Sequence, residues 1–482
     1  MSEENYSSRE AEQMQNLTLE NIAKACGGSY VGAPEQMQDI ITGAVTDSRE
    51  VMPGYLFIPI KGERVDGHDF IPQVFEKGAL AVLSEKVLEN PAGPYIRVDS
   101  TTEAMKKLAA FYRDGLHIRV VGITGSVGKT STKEMIASVL EQKYKVLKTA
   151  GNFNNEIGLP LTIFRIHKEH EVAVLEMGIS DFGEMHRLAG MAKPDICVIT
   201  NIGLCHLENL GTRDGILAAK TEVFDHMQPE GTVILNGDDD KLCTKQRVNG
   251  RPAIFYGVDA EPKKANTGEP MAEKSIYATD IENLGLEGMR ALIHTPEGEF
   301  TALIPLPGEH NVYNALAGTA VGLQLGLSLE EIGKGIASVQ TIAGRSNLIE
   351  AGGMRIIDDC YNANPVSMKA SIEVLAHTKG RKIAVLGDMG ELGADERKLH
   401  YGVGEALAQS HIDVLFAAGE LAAEYVSGAA GADCEMHYYP TVEEMIPELV
   451  SYVTTGDTIL VKASHFMNFP KVVEALQKSV AE

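Results

Sequence analysis

The 482-residue chain lacks several features that would place it in a special class of proteins. Its cysteines show no paired spacing of the kind that zinc sites use, so we expect reduced, buried thiols. The six are Cys26, Cys197, Cys205, Cys243, Cys360 and Cys434. No apolar run reaches the length of a membrane span, and residues 1–5 lack the apolar core of a signal peptide. We therefore expect a cytoplasmic protein without membrane insertion.

Positive charge is also scarce. The chain has 43 lysines and arginines against 67 aspartates and glutamates, which gives a formal net charge of -24. This balance argues against nucleic acid and anionic membranes as partners, although a local basic site can still bind an anionic substrate. A hydrophobic content of 44% and a charged content of 23% are ordinary for a globular protein. A chain of this length is too long to fold around a single hydrophobic core, so we expect about three domains.

A glycine-rich motif, TGSVGKTST, occupies residues 124–132. It follows the apolar run 118–123 and precedes residues 133–142, whose apolar side chains have helical spacing. A strand, a glycine turn and a helix in this order form a phosphate-binding loop, because backbone N–H groups and the helix N-terminus face the anion. Lys129 can reach the terminal phosphates of a nucleotide, and the Thr130 hydroxyl can hold Mg²⁺.

The motif is a short variant of the common phosphate loop. Ile123 stands where the usual eight-residue pattern has its first glycine, which argues against typical GTPases and small-molecule kinases. An ordinary glycine turn is the alternative, but the flanking strand and helix favour nucleotide binding. The residues expected to contact the nucleotide here are Gly125, Ser126, Val127, Gly128, Lys129, Thr130 and Ser131.

The pattern of apolar runs predicts an α/β protein with three domains. Residues 1–113 predict a smaller mixed α/β domain, with strands near 55–60 and 79–83. Residues 114–340 predict a central parallel-sheet domain of the phosphate-loop ATPase type, and residues 341–482 a doubly wound, Rossmann-like domain. The predicted strands of these two domains are 172–175, 196–200, 232–235, 354–357, 382–386, 414–416 and 458–461. Residues 263–273 are polar and predict a surface loop.

Polar residues follow the predicted strands of the central domain, where ligands bind in parallel sheets. Glu176 ends one strand and His206 lies just beyond the next, while Asn236, Asp238 and Asp239 follow a third. Taken singly, Glu176 could cap a helix and His206 could be an ordinary loop histidine. As a set beside a phosphate loop, these groups favour a Mg²⁺ site.

Lys220 is unusual because helical spacing places it on the apolar stripe of the segment 216–227. Its stem could be buried while the ammonium reaches water, or the lysine could lie in a pocket with a perturbed pKa. Farther along the chain, two loops of small and polar residues, 358–365 and 387–393, follow successive strands of the third domain. They predict either turns or one wall of a cleft between domains.

These residues together resemble the Mur ligases of bacterial cell-wall synthesis, over essentially the whole chain. The resemblance rests on the phosphate loop and on Glu176, His206, Lys220, His310 with Asn311 and Asn314, Gly344 with Arg345, and Asp359. Three further stretches are similar to the members that add a dipeptide: 46–49 with 66–70, 151–158 and 358–365. The aspartate-asparagine-proline-arginine motif of the members that add a diamino acid is not present in the sequence.

The resemblance implies ATP-dependent ligation in peptidoglycan precursor synthesis, by a monomer that contacts no nucleic acid. ATP would phosphorylate the terminal carboxylate of a UDP-N-acetylmuramoyl-tripeptide, and the amine of D-alanyl-D-alanine would attack the acyl phosphate. The implied catalytic residues are Lys129, His206 and a carbamylated Lys220. The implied Mg²⁺ ligands are Thr130, Glu176, His206 and Lys220.

The resemblance also implies residues that contact the substrates. Asn311 and Asn314 would meet the adenine side of ATP, and Arg345 and Asp359 would reach ATP from the third domain. The remaining substrate residues are Ser48 and Arg49 for the UDP end, Asn154 and Asn155, and then Asn362, Ala363, Asn364, Lys462 and Ser464 for the dipeptide. The family's lysine-glycine-serine-arginine motif is replaced here by Lys462-Ala463-Ser464-His465, which leaves His465 without an implied role.

Three other functions stay open on the sequence alone. One is a related ligase that adds a diamino acid, and another is an enzyme similar to folylpolyglutamate synthetase, which shares the loop and the two-domain layout but not a separate first domain. The third is a binding module in which the nucleotide only closes the domains. The sequence does not define the third residue of the peptide substrate.

Overall fold

The computed structural model describes residues 14–261 and 271–479. Residues 1–5 and most of the loop predicted at 263–273 lie outside these ranges. Within them, the chain forms sheets of five, nine and six strands and a two-stranded ribbon. Parallel pairing occurs in each of the three larger sheets, so the predicted α/β class is confirmed. Across the same ranges, no helix combines the length and apolarity that a membrane span requires.

The first sheet has the order β1-β5-β4-β3-β2, with β1 antiparallel to β5 and the other neighbours parallel. The strand predicted at 55–60 ends early, before Pro59, which has no N–H to donate to a neighbouring strand. The strands are β1 Ser29–Val31, β2 Gly43–Val45, β3 Tyr55–Phe57, β4 Ala81–Ser84 and β5 Tyr95–Arg97, and the helices are Leu19–Cys26, Ile71–Glu76 and Thr101–Asp114.

The second sheet has the order β16-β15-β14-β13-β10-β9-β6-β8-β7. Its strands are parallel from β7 to β14, and β14, β15 and β16 pair antiparallel. Helices connect β6, β7, β8, β9 and β10 along the chain. The strands are β6 Arg119–Thr124, β7 Val146–Lys148, β8 Val172–Glu176, β9 Ile196–Ile199, β10 Thr232–Asn236, β11 Arg247–Val248, β12 Arg251–Pro252, β13 Ile254–Val258, β14 Ile276–Asn283, β15 Met289–Thr295 and β16 Gly298–Ile304, of which β11 and β12 form the separate ribbon. The helices are Lys129–Leu140, Gly158–Phe164, Glu184–Ala192, Leu207–Leu210, Arg213–Thr221, His310–Gln324 and Leu329–Ala337.

The third sheet has the order β17-β18-β22-β19-β20-β21, with only β17 antiparallel to its neighbour. The strands are β17 Asn347–Ala351, β18 Met354–Asp358, β19 Lys382–Gly387, β20 Val414–Ala418, β21 Glu435–Tyr439 and β22 Thr458–Lys462. The helices are Pro365–Ala376, Glu396–Gln409, Ala423–Gly428, Val442–Tyr452 and Pro470–Lys478. Separate apolar clusters cover its two faces, as in a doubly wound sheet.

The first two sheets are joined by a common apolar core. Helix Thr101–Asp114 packs against helices Gly158–Phe164 and Glu184–Ala192 of the central sheet. Buried Arg113 reinforces this junction, since its Nε donates to the Ala192 carbonyl at 2.9 Å. The core clusters of the third sheet are distinct from this one.

Candidate active site

The phosphate loop connects β6 to helix Lys129–Leu140 and depends on glycine at two positions. Gly125 has φ +149°, and a Cβ there would lie 1.9 Å from Thr200 Oγ1. Gly128 has φ +81° immediately before the helix begins. Only glycine combines this backbone with such close packing, so the loop can lie directly against the end of β9.

Residues that follow β9 hold the loop in shape. The Val127 N–H donates to Asn201 Oδ1 at 3.0 Å, and Thr200 Oγ1 donates to the Val127 carbonyl at 2.7 Å. The Lys129 ammonium donates to the Gly125 carbonyl at 2.9 Å. The lysine is thereby held against its own loop, at the place where a phosphate tail would bind.

Glu176, at the end of β8, is buried with one carboxylate oxygen unsatisfied. Its Oε1 accepts from Asn154 Nδ2 at 2.8 Å, while Oε2 has no hydrogen-bond partner among the described residues. The nearest cation is buried Lys133, whose Nζ lies 4.0 Å from Oε2 and donates to the Thr149 carbonyl at 2.7 Å. A buried carboxylate oxygen without a hydrogen bond costs free energy, and a bound cation would reduce that cost.

His206 is contacted from the third sheet. It precedes helix Leu207–Leu210 with φ +51°, and its Nδ1 lies 2.8 Å from Oε2 of Glu391. Glu391 belongs to the loop that follows β19, on the opposite side of the cleft. The hydrogen bond from His206 lowers the pKa of the Glu391 carboxyl.

Lys220 lies in helix Arg213–Thr221 with its side chain on the buried face, 1% exposed. The ammonium is therefore buried along with the stem and does not reach water. No carboxylate forms an ion pair with it in the described ranges. Burial, and then the nearby positive charge of Lys129, lower the pKa of Lys220 from 10.5 to about 8.

A cleft of about 700 Å³ lies between the central and third sheets. It brings together most of the residues that the sequence predicts for the site. These are Ser126, Val127, Gly128, Lys129, Thr130, Ser131, Asn154, Asn155, Glu176, His206, Asn314, Arg345, Asp359, Asn362, Asn364 and Lys462. Parallel strands of both sheets end at this cleft. For this reason the phosphate loop, the residues that follow the central strands and the loops of the third sheet meet there.

The third sheet contributes charged groups to the cleft in fixed positions. Arg345 donates from Nη2 to Thr130 Oγ1 at 3.2 Å, so it reaches the phosphate loop directly. Asp359 Oδ2 accepts from Lys462 Nζ at 2.6 Å and from Ser371 Oγ at 2.6 Å. The buried Lys462 ammonium is thus balanced by Asp359, and it also donates to the Asn362 carbonyl at 3.1 Å.

Several predicted site residues also support the local backbone. Asn155 Oδ1 accepts from the Gly158 N–H at 2.8 Å, and Asn364 Oδ1 accepts from the Ser367 N–H at 2.9 Å at the start of a helix. Buried Ser464 Oγ accepts from the Gly390 N–H at 2.9 Å and lies within 3.4 Å of the carbonyl of Ala363, which is also buried. The two contacts of Ser464 position the loops 358–365 and 387–393 relative to each other.

Some predicted residues lie outside the main cleft. Ser48 and Arg49 lie in the loop after β2 of the first sheet. Arg49 pairs with Asp47 at 2.6 Å, and this contact lowers the pKa of Asp47 to about 2. Asn311 lines a small neighbouring cavity, and its side chain donates to the Pro307 carbonyl at 2.9 Å and accepts from Asn314 at 2.8 Å.

The polar residues after β10 have structural contacts. Asp238 accepts from Lys274 Nζ at 2.8 Å, and Asp239 accepts from the Ile202 N–H at 2.7 Å and the Leu242 N–H at 2.9 Å. Burial raises the pKa of the Asp239 carboxyl. Of the three residues, only Asn236 lines the cleft within the described part of the chain.

The sequence alone did not single out Lys133, Glu391 or the ring of Tyr361. Lys133 directly follows the phosphate motif, and the other two lie in loops that were predicted as cleft walls. Their roles depend on tertiary contacts: Lys133 approaches Glu176, Glu391 approaches His206, and the Tyr361 ring packs under Arg345. No local pattern marks such contacts.

The donors in the cleft fit Mg²⁺ better than zinc, which needs three or four side-chain ligands. Within the described residues, no group of three or more histidines, cysteines, aspartates or glutamates could hold a metal ion. Mg²⁺ uses few protein ligands and completes its shell with phosphate oxygens and water. The hydroxyl of Thr130, the unsatisfied Oε2 of Glu176 and the ring of His206 are oxygen and nitrogen donors in one cleft, which suits a cation bound together with a nucleotide.

The fold and the site define a nucleotide-dependent α/β enzyme whose cleft lies between two domains. Three family models match in order along the chain: "Mur ligase family, catalytic domain" at residues 40–113, "Mur ligase middle domain" at 123–322, and "Mur ligase, glutamate ligase domain" at 344–465. The chain belongs to the Mur ligase family.

Individual relatives match over nearly the full length. The UDP-N-acetylmuramoyl-tripeptide–D-alanyl-D-alanine ligase of Bacillus subtilis (strain 168) is 38% identical over 469 residues, covering 96% of this chain and 98% of the relative. A crystal structure of MurF from Acinetobacter baumannii is 33% identical with a TM-score of 0.85, covering 97% of this chain and 100% of that chain. The MurF ligase from Thermotoga maritima in complex with ADP is 31% identical with a TM-score of 0.77, covering 91% and 98%.

Proposed function

We propose that this chain is an ATP-dependent ligase that joins D-alanyl-D-alanine to UDP-N-acetylmuramoyl-tripeptide through an acyl phosphate, in peptidoglycan precursor synthesis. The observation that carries the proposal is a single cleft lined by the phosphate loop, by Glu176 and by the asparagine-rich loop 358–365. Relatives at 38% and 36% identity over the full length carry this activity in their names. The ADP complex of the Thermotoga relative supports nucleotide binding.

The first step transfers the γ-phosphoryl group of ATP to the tripeptide carboxylate, with ADP leaving. Lys129 and the backbone N–H groups of the loop would stabilise the charge that develops on the transferring group. Arg345 and Asp359 would approach ATP from the third domain, so the reaction is shielded from water when the domains are docked. Asn311 and Asn314 would lie on the adenine side.

We assign the Mg²⁺ ligands to Thr130, Glu176, His206 and a carbamylated Lys220. Mg²⁺, when bound, supplies positive charge that offsets the charge of the phosphates. A lysine whose pKa is lowered to about 8 has a sizeable neutral fraction near neutral pH, and only the neutral amine can add CO₂. The carbamate would convert a buried cation without an acidic partner into an anionic oxygen ligand. Mass spectrometry of the undenatured protein in bicarbonate buffer would detect the carbamate.

In the second step, the amine of D-alanyl-D-alanine attacks the acyl carbonyl, forming the amide and releasing phosphate. We assign the dipeptide to Asn362, Ala363, Asn364, Lys462 and Ser464, the neighbourhood of the tripeptide carboxylate to Asn154 and Asn155, and the UDP end to Ser48 and Arg49. Residues 1–113, 114–340 and 341–482 would then bind UDP-substrate, ATP and dipeptide, respectively. A cytoplasmic location and a monomeric state remain predictions.

Acceptor-dependent ADP release tests the proposal. We expect purified protein with ATP, Mg²⁺ and UDP-N-acetylmuramoyl-tripeptide to release ADP steadily only when D-alanyl-D-alanine is added. A nucleotide-gated binding module would bind ATP without acceptor-dependent release. An enzyme similar to folylpolyglutamate synthetase would instead require a folate and glutamate, and either result would contradict the proposal.

A further inference from the structure

The loop after β19 reaches across the cleft to a predicted metal ligand. We propose that Glu391 is a positioning residue: it orients His206 for cation binding, so that the cation site is complete only when the third sheet is docked on the central one. The inference rests on the proposed function, because that function makes His206 a cation ligand. It adds a role for Glu391, a residue of the opposite domain.

The contact determines which ring nitrogen can bind a cation. His206 Nδ1 lies 2.8 Å from Glu391 Oε2, and in the described ranges no other side chain is paired with this ring. A neutral imidazole that donates its Nδ1–H to a carboxylate carries its lone pair on Nε2. Histidines that bind metals usually donate their other ring nitrogen in this way, which fixes the tautomer and the orientation of the ring.

The backbone at both ends of the contact is unusual. His206 has φ +51° and Glu391 has φ +59°, in the left-handed region that residues other than glycine rarely occupy. Such conformations are unfavourable for these residues and persist where the surrounding structure enforces them. Here both place their side chains on facing walls of one cleft.

The loop that carries Glu391 is fixed by its neighbours. The Met389 N–H donates to His400 Nε2 at 2.9 Å, and the Gly390 N–H donates to Ser464 Oγ at 2.9 Å. The next turn of the loop packs on helix Leu207–Leu210, directly after His206. Ser464 belongs to the set assigned to the dipeptide, so the loop connects the dipeptide side of the cleft with the cation side.

Direct cation binding tests the role of Glu391 without relying on turnover. Mn²⁺ replaces Mg²⁺ and is followed by electron paramagnetic resonance in the presence of a non-hydrolysable ATP analogue. We expect Glu391→Ala to weaken Mn²⁺ binding by about 10-fold or more, the range found for partners of metal-bound histidines. Glu391→Gln should keep most of the affinity, because its amide oxygen can still accept from the Nδ1–H. The Glu391 side chain is 64% exposed, so melting temperatures should stay close to wild type.

Two further variants test whether the effect is specific to Glu391 and whether it depends on the His206 ring. Glu208→Gln removes an exposed carboxylate two residues from His206 and should leave Mn²⁺ affinity unchanged. In a His206→Ala background, Glu391→Ala should have no additional effect, because its action runs through the ring. Normal Mn²⁺ affinity in Glu391→Ala, a loss in Glu391→Gln or Glu208→Gln as large as that in Glu391→Ala, or additive losses in the double variant would each overturn the proposal.

The outcome for His206 itself is also decisive. If wild type binds Mn²⁺ no better than His206→Ala, His206 is not a cation ligand, and the positioning role of Glu391 is then wrong as well. The proposed function fails on a different result, namely the absence of acceptor-dependent ADP release by wild type. The two failures are therefore distinguishable.

Discussion

The guanidinium carbon of Arg345 lies 4.0 Å from the ring centroid of Tyr361. The same guanidinium donates a hydrogen bond to Thr130 Oγ1, so an aromatic ring of the third domain supports the arginine that reaches the phosphate loop. The two segments are also joined by their backbones, since the Tyr361 N–H donates to the Gly344 carbonyl at 3.1 Å. Cation–π contacts of this kind contribute about 0.5–2 kcal/mol.

We predict that Tyr361→Leu lowers kcat by roughly 10-fold, because Arg345 loses the ring that holds its planar group. Tyr361→Phe keeps the aromatic face and should retain most of the activity. Steady-state ADP release measures both, with the exposed Tyr438→Leu as a control. Equal losses in the Leu and Phe variants would show that the hydroxyl matters and not the ring.

We predict that Lys129→Ala abolishes ligation while the fold stays intact. Removing a cation directed at the phosphates should cost several kcal/mol of transition-state stabilisation, roughly a thousand-fold in rate or more. The exposed Lys24→Ala is the matched control. Activity within tenfold of wild type at an unchanged melting temperature would refute a phosphate-directed role for Lys129.

We predict that Gly125→Ala disrupts the phosphate loop. The added Cβ would lie 1.9 Å from Thr200 Oγ1, and the backbone has φ +149°, so the loop or the end of β9 must move. Gly250→Ala is the control, because Gly250 also has positive φ (+79°) but nothing within 4 Å of the added Cβ. Isothermal titration calorimetry should show that Gly125→Ala binds ATP at least tenfold more weakly than Gly250→Ala. Similar ATP affinities in the two variants would contradict this prediction.

We predict that replacing buried Lys220 with methionine stabilises the fold near neutral pH in bicarbonate-free buffer while activity is lost. The native pKa of about 8 lies below the ordinary 10.5, so the unfolded chain binds more protons between these values and wild-type stability rises with pH there. The free energy of unfolding of Lys220→Met should therefore exceed that of wild type most below pH 8, by up to about 3 kcal/mol, and the difference should shrink towards pH 10.5.

Denaturant unfolding at several pH values measures this difference. Lys478→Met, whose lysine side chain is 80% exposed, is the control and should show no such pH dependence. A variant that is less stable than wild type at pH 7, or a difference that grows as pH rises above 8, would mean that Lys220 has a buried partner that stabilises its charge.

The fold was predictable from the sequence because its main signals are local. Residues 172–175 and Ile196–Ile199 are continuous apolar runs whose residues are buried, as expected for central parallel strands. The strands predicted at 232–235, 354–357, 382–386, 414–416 and 458–461 also form, each within two residues of the predicted ends. The turn at Gly125 and Gly128 is likewise local, since glycine alone permits it.

The partners within the cleft were not predictable in the same way. Glu391 and His206 come from different domains, and nothing in the surrounding sequence of either residue indicates the other. Asp238 and Asp239 follow a strand just as Glu176 does, yet they accept hydrogen bonds from Lys274 and from backbone N–H groups. A position after a strand therefore indicates where a carboxylate lies, but its role depends on which groups the rest of the chain brings near it.

The choice of acceptor tests the central claim most directly. The residues proposed for the dipeptide carry amide, hydroxyl and ammonium groups: Asn362, Asn364, Ser464 and Lys462, which pairs with Asp359. A site built to hydrogen-bond its substrate rejects analogues by a factor on the order of 10⁴. Steady-state kinetics with UDP-N-acetylmuramoyl-tripeptide and each of D-alanyl-D-alanine, lysine and diaminopimelate would compare kcat/KM, with mass spectrometry of the products. We predict that only D-alanyl-D-alanine is joined efficiently; equal or greater efficiency with a free diamino acid would contradict the account.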